Sequence, residues 1–225
     1  MQQRALGRTG RSVAEIGFGG RGLDRERQRV LLAAIEGGID LVDVSPEWGD
    51  AEALAGEAIR ELRARDRVVL ATRAPLDLRA IQPSVERSLR ATRLDGLPLV
   101  QLAGWRDDRR DAPDWPELLD TLDRLVREGK VLHWGITTAE PRRARAILAE
   151  PRIATLQTRF HIQDRRAAAI LPLATEAGVA VLACSPLDSG LFDPDTALEF
   201  VLGEPITAAL VSTGNLDHLH HLLAR

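Results

Sequence analysis

Short apolar runs alternate with amphipathic stretches along the whole chain. The run Ile16–Gly19 reads as a strand. Residues 24–36 follow it with Val30, Leu31, Ala34 and Ile35 at helical spacing, opened by Asp24 as a cap and stopped by Gly37 and Gly38. The couplet then recurs: strand Leu41–Asp43 with a helix over 51–64, strand 68–72 with a helix over 83–92, and strand 99–102 with a helix over 115–128. Pro116 falls in the first turn of that last helix, where a missing N–H costs nothing. Strands at 131–136, 153–157, 179–184 and 208–211 follow, paired with helices over 141–149, 165–177, 196–202 and 216–223.

Eight strand–helix units with no linker or shift in composition predict a single α/β domain over residues 1–225. Eight units in one domain point to a closed (β/α)8 TIM barrel, a fold for which about 250 residues is typical. Residues 4–13, with Gly7, Thr9 and Gly10, read as an N-terminal β-hairpin ahead of the first barrel strand.

One pattern competes with this reading. Gly17-Phe18-Gly19-Gly20-Arg21-Gly22 fits G-x-G-x-x-G after a strand, with Asp43 ending the next strand, as in a dinucleotide-binding fingerprint. The third glycine should lie inside the helix, whereas Gly22 precedes the cap Asp24. The sheet of that fold also has about six strands rather than eight. The first loop of a barrel is therefore the preferred reading.

Charge adds little. The 30 basic and 33 acidic residues leave a net charge of −3, which removes the electrostatic case for nucleic acid or an anionic membrane as partner. No apolar run reaches membrane-spanning length, and Cys184 has no second cysteine to pair with. These features predict a cytoplasmic protein with a small-molecule substrate. Two counts narrow the chemistry further. The chain has no tyrosine, so no tyrosine acid operates. Lys130 is its one lysine and precedes the fifth strand, on the face of a barrel away from the site, which excludes lysine-based aldolase chemistry.

Several segments resemble the aldo-keto reductase family. Arg4-Ala5-Leu6-Gly7-Arg8-Thr9-Gly10, followed by Val13 to Gly20, looks like the family's opening; Glu36 to Asp43 is similar to its second strand. The stretch from Arg127 to Ile136 is similar to its fifth, Ala183 to Leu187 with Gly190 to its seventh, and Leu210 to Leu219 to its last unit. The match is colinear over nearly the whole chain.

The resemblance implies an Asp, Tyr, Lys, His tetrad at the C-terminal mouth of the barrel, with NADPH as hydride donor. The aspartate is present as Asp43. The tyrosine, lysine and histidine positions hold Trp48, Arg73 and Ala103. An indole N–H is a donor but no usable acid, and arginine does not shuttle protons at neutral pH. The positions implied for the nicotinamide amide are Thr137, Thr138 and Gln157. The stacking aromatic falls on Cys184, and the cation for the cofactor's extra phosphate falls near Gly214. The connection after Phe192 is short, and the chain reaches Arg225 without the family's C-terminal loop, so the fold expected has shortened C-terminal loops. No cofactor is favoured on these residues, with NADPH the alternative.

In such a barrel the working residues sit at the C-terminal ends of the strands and in the loops that follow. Asp43 and Arg73 should adjoin as the candidate catalytic pair. They are either a structural ion pair or a grip for an anion or carbonyl, with Asp43 orienting the arginine or acting as base. The neighbouring cation is expected to lower the pKa of Asp43. Trp48 and Trp105 are candidate aromatic walls for the substrate, or a lid over the barrel. Gln157, Arg159 and His161 complete the candidate substrate site, His161 being a loop histidine that is solvated on the ordinary reading. Cys184 lacks a base and is expected to pack. His218 and His221 share one helix face without a third ligand, so no metal is expected.

The reading these residues favour is a barrel of this family that has left hydride transfer for acid–base chemistry on a carbonyl-containing or anionic small molecule: dehydration, isomerisation or cyclisation. The alternatives are an NADPH-dependent oxidoreductase with a rewired proton donor, and a non-catalytic binding or interaction protein.

Overall fold

A computed structural model describes residues 1–103, 115–138 and 140–225. Strands β1 (Gln3–Ala5) and β2 (Ser12–Ala14) form an antiparallel hairpin. Eight parallel strands follow: β3 (Ile16–Gly19), β4 (Leu41–Asp43), β5 (Val69–Pro75), β6 (Leu97–Ala103), β7 (Val131–Thr137), β8 (Thr155–Arg159), β9 (Ala180–Cys184) and β10 (Ala208–Val211). β10 pairs back with β3, so the barrel is closed. The helices are α1 (Gln28–Glu36), α2 (Ala51–Glu61), α3 (Ile81–Thr92), α4 (Trp115–Arg127), α5 (Pro141–Leu148), α6 (Leu171–Glu176), α7 (Pro194–Leu202) and α8 (Leu216–Leu223). Among the described residues no helix is long and apolar enough to cross a membrane.

The (β/α)8 barrel with its N-terminal hairpin is the architecture that the alternation predicts. The differences are local. Asp24 does not open α1; its carboxylate caps a separate turn by accepting the Arg27 N–H at 2.9 Å, and the helix begins at Gln28. The stretch expected as one helix over 165–177 is split into a 3-10 turn, Arg166–Ile170, and α6. Pro172 explains the break, because it has no N–H for a continuous helix and is tolerated in a first turn. The glycine fingerprint is used for barrel closure. A Cβ at Gly19 would lie 2.5 Å from Ser212 Oγ, and one at Gly17 2.8 Å from Leu210 Cδ2, so both glycines let β3 approach the last barrel strand.

The hairpin seals one end. Leu6 and Val13 are fully buried and join Leu41, Val69, Leu99 and Leu182 in a cluster inside the barrel. Burying each such side chain is worth about 1.5–3 kcal/mol. With that end filled, the polar inward positions collect at the other end. Residues two apart on a strand share a face, so Asp43, Arg73, Gln101, Thr137, Gln157, Arg159 and Cys184 all point into the barrel at or near the C-terminal ends of β4 to β9.

Candidate active site

Register fixes the central pair. Asp43 is level with Ala71 on β5, which sets Arg73 one inward position further along. The Arg73 Nη2 donates to Asp43 Oδ2 at 2.9 Å and reaches Gln157 Oε1 at 3.4 Å. Thr137 Oγ1 donates to the same Gln157 oxygen at 2.9 Å. The arginine therefore crosses the mouth from β5 to β8. Trp48, on the loop after β4, lies against its guanidinium, with the carbon 4.4 Å from the ring centroid. The adjacency expected for Asp43 and Arg73 is present, and Trp48 and Gln157 join the same group. Trp105 lies outside the described residues.

Burial governs the chemistry of this group. The side chains of Asp43 and Arg73 are only 3% and 18% exposed. Asp43 Oδ1, Arg73 Nε and Gln157 Nε2 are buried without a hydrogen-bond partner. Loss of hydration pushes the Asp43 carboxyl up to about 6, against the attraction of Arg73 and a weaker contribution from the Gln157 amide. This corrects the expectation of a lowered value: at this depth the desolvation of the carboxylate outweighs its cation. Burial and the nearby Asp43 likewise push the Cys184 thiol up to about 11. A neutral thiol agrees with a packing role.

A second group stands at the rim. Arg159 ends β8, level with Cys184 on β9. Its Nε donates to His161 Nε2 at 3.0 Å, and its Nη2 is hydrogen-bonded to Asp188 Oδ1. His161 is not the solvated loop residue expected from its position: it is 2% exposed, and its ring packs against Phe192 with 5.6 Å between centroids. Asp188 and Phe192 are contributions that sequence reasoning missed, since no spacing links them to the end of β8.

A crevice of about 90 Å³ opens between the loop after β3 and the start of the last unit, lined by Phe18, Gly19, Arg21, Arg27, Thr213 and Gly214 among others. Gly214 itself supplies no cation. Its missing side chain instead admits Arg27, whose Nε would lie 2.9 Å from a Cβ there. Asn215 caps α8, accepting the N–H groups of Asp217 and His218.

The remaining candidates are structural. His221 Nε2 lies 3.1 Å from Asp195 on α7, and among the described residues no three potential ligands gather to hold a metal. Lys130 is bound to Glu86 and Glu128 at the opposite end of the barrel.

The pattern of the aldo/keto reductase family matches residues 15–222. An uncharacterized oxidoreductase of Bacillus subtilis, YqkF, is 28% identical over 210 residues, covering 85% of this chain and 66% of that protein. The aldo-keto reductase str7 of Strobilurus tenacellus is 30% identical over 201 residues, covering 80% of this chain and 60% of that protein. The chain thus spans just under two thirds of the length of these relatives. Among solved structures, the holo form of an aldo-keto reductase from Bacillus halodurans, AKR11C1, superposes with a TM-score of 0.89 at 22% identity, covering all of this chain and 90% of that one. An aldo/keto reductase from Klebsiella pneumoniae, solved with NADP and acetate, gives a TM-score of 0.81 at 22% identity, covering all of this chain and 89% of that one.

Proposed function

This chain belongs to the aldo/keto reductase family, and from that premise we propose that it is an enzyme acting on a small carbonyl compound, with Arg73 as the grip on the carbonyl oxygen and Asp43 as the base. The observation that carries this reading is the pair itself. One hydrogen bond joins the two side chains, and a carboxylate oxygen and a guanidinium nitrogen remain buried and unengaged beside it.

The chemistry follows from the two charges. Arg73 is permanently cationic and favours negative charge on a carbonyl oxygen. That charge develops when a proton leaves the adjacent carbon. The proton passes to Asp43 Oδ1, and the C–H electron pair moves onto the carbonyl oxygen as an enolate held by Arg73. Return of the Asp43 proton to the far carbon of a conjugated enolate gives isomerisation; departure of a β-hydroxyl, which takes that proton and leaves as water, gives dehydration; attack of the enolate carbon on a second carbonyl, whose oxygen takes that proton, closes a ring. A carboxyl with a pKa near 6 is ionised at neutral pH and is a stronger base than an ordinary aspartate, which suits general-base work. Trp48 lies against the Arg73 guanidinium and is the wall a substrate has to displace or stack upon.

A second reading, NADPH-dependent reduction, is favoured by the oxidoreductases among the relatives and by the chain's own residues. Gln157 has a buried, unpartnered Nε2 beside Thr137, which suits a carboxamide. Arg21 and Arg27 at the crevice beside Gly214 suit phosphate. Cys184 fits less well, because it offers no ring to stack on a nicotinamide. When bound, NADPH supplies hydride to the carbonyl carbon, and protonated Asp43 is the acid this chain then offers.

One experiment separates the readings. The protein is incubated with simple ketones in deuterated water without nucleotide, and deuterium at the carbon next to the carbonyl is followed by NMR. Exchange that disappears in Asp43→Asn supports enolisation. No exchange, together with hydride delivered from labelled NADPH, replaces it with reduction. Absence of both leaves the binding protein.

A further inference from the structure

We propose that the compound bound at the mouth is a short oxo acid, its carbonyl on Arg73 and its carboxylate on Arg159. The proposal rests on the reading of Arg73 as a carbonyl grip and adds the substrate class. Gln157 and Arg159 occupy successive inward positions of β8, about 6.6 Å apart along the strand. Arg73 touches Gln157, so its guanidinium stands at the level of that residue, and Arg159 stands one level closer to the rim. Cys184 is level with Arg159 on the neighbouring strand, and Asp43, Arg73 and Arg159 all act on its thiol.

The unengaged groups at this mouth are mostly donors. Arg73 Nε and Gln157 Nε2 are buried without a partner, and Arg159 keeps its Nη1 open, its Nε and Nη2 being bonded to His161 and Asp188 with Asp164 Oδ2 3.8 Å from the Nε. Among the buried side-chain atoms described at this mouth, two acceptors stand unengaged. Asp43 Oδ1 is the proposed base, and Gln101 Oε1 faces Gly135. A ligand of carbonyl and carboxylate oxygens supplies acceptors to these donors. A polyol brings a donor with every acceptor and matches them less well.

Arg159 is also held in place before any ligand arrives. His161 fixes its Nε and Asp188 its Nη2, and His161 is itself clamped in the interior against Phe192. A guanidinium so fixed, with one nitrogen open, binds a carboxylate without first losing side-chain freedom. Arginines on neighbouring levels of one mouth suit a short acid that reaches both.

Calorimetric titration with 2-oxobutyrate, butanone and butyrate tests this on the intact chain. The expected result is that 2-oxobutyrate binds at least about tenfold more tightly than either compound lacking one of its two groups, as charge-assisted hydrogen bonds imply. Arg159→Leu should bring 2-oxobutyrate down to the level of butanone, and Arg159→Lys should restore part of the difference. Equal binding of 2-oxobutyrate and butanone overturns the proposal. So does a preference that survives Arg159→Leu, which would place the carboxylate elsewhere, and so does an absence of binding by all three. The reading on which it rests fails differently: 2-oxobutyrate then binds with the stated preference, yet its C3 protons do not exchange with solvent.

Discussion

Arg73 donates to Oδ2 of Asp43 at 2.9 Å and leaves Oδ1 of the same carboxylate buried and unengaged. The ion pair is thus half-made. It is strong enough to orient the arginine and too weak to offset the loss of water around the acid, whose pKa rises from 3.8 to about 6.

That shift has a measurable consequence for stability. The folded value lies above the unfolded one, so the folded chain binds the extra proton between them. The contribution is complete below pH 3.8 and is lost as pH rises through about 6. A displacement of this size corresponds to about 3 kcal/mol. Asp43→Asn has no such group. Urea unfolding at a series of pH values should show wild type losing stability relative to this variant across that window, with the difference constant above it. Parallel curves would show that Asp43 titrates normally.

Trp48 against Arg73 is a partly desolvated cation–π contact, worth about 1 kcal/mol. Trp48→Leu should lower stability by that order in denaturant titrations. The same change should raise the protection-free exchange of the Arg73 side-chain N–H protons in NMR, because the ring no longer covers them. Unchanged exchange would mean that Trp48 does not cover the mouth in solution.

The hairpin seal is testable in the same way. Leu6 is fully buried among barrel residues, so Leu6→Ala should cost about 2–5 kcal/mol. The loss should appear as a lower midpoint in thermal or urea unfolding. A change below about 0.5 kcal/mol, the range typical of surface substitutions, would place the hairpin outside the core.

The barrel was legible because it is written in local periodicity. Each strand–helix couplet carries its own pattern, and the junction of Asp43 with Arg73 follows from two strands being sequential neighbours. The remaining features depend on what meets across the mouth. The depth of Asp43 is set by everything packed around the end of β4, so its raised pKa could not be read from the arginine alone. His161 packs against Phe192, and Asp188 is tied to Arg159, contacts made between separate loops. Arg27 fills the space above Gly214 from the other end of the chain. The break before α6 is written in Pro172, but the apolar spacing continues through it and masks the break.

The catalytic and structural readings of Asp43 and Arg73 diverge most clearly in a double variant. Removing one member of a buried ion pair leaves the other charge uncompensated and costs about 3–5 kcal/mol, whereas replacing both with neutral groups of similar volume is often close to neutral. Arg73→Met should therefore destabilise at neutral pH by leaving the buried Asp43 carboxylate without its cation, whereas Asp43→Asn removes a charge whose burial already costs the fold and should not; the combined variant should recover most of the Arg73→Met loss. Activity should behave differently. Loss of a general base lowers rate by about 10² to 10⁴, and loss of the cation removes charge stabilisation that a methionine does not replace. Each single variant should fall by at least about tenfold in ketone proton exchange, and the double variant should stay low although its stability returns. Stability and exchange would be followed on the same preparations by urea unfolding and by NMR in deuterated water. If exchange recovers together with stability, the pair serves only to hold the barrel together and the base lies elsewhere.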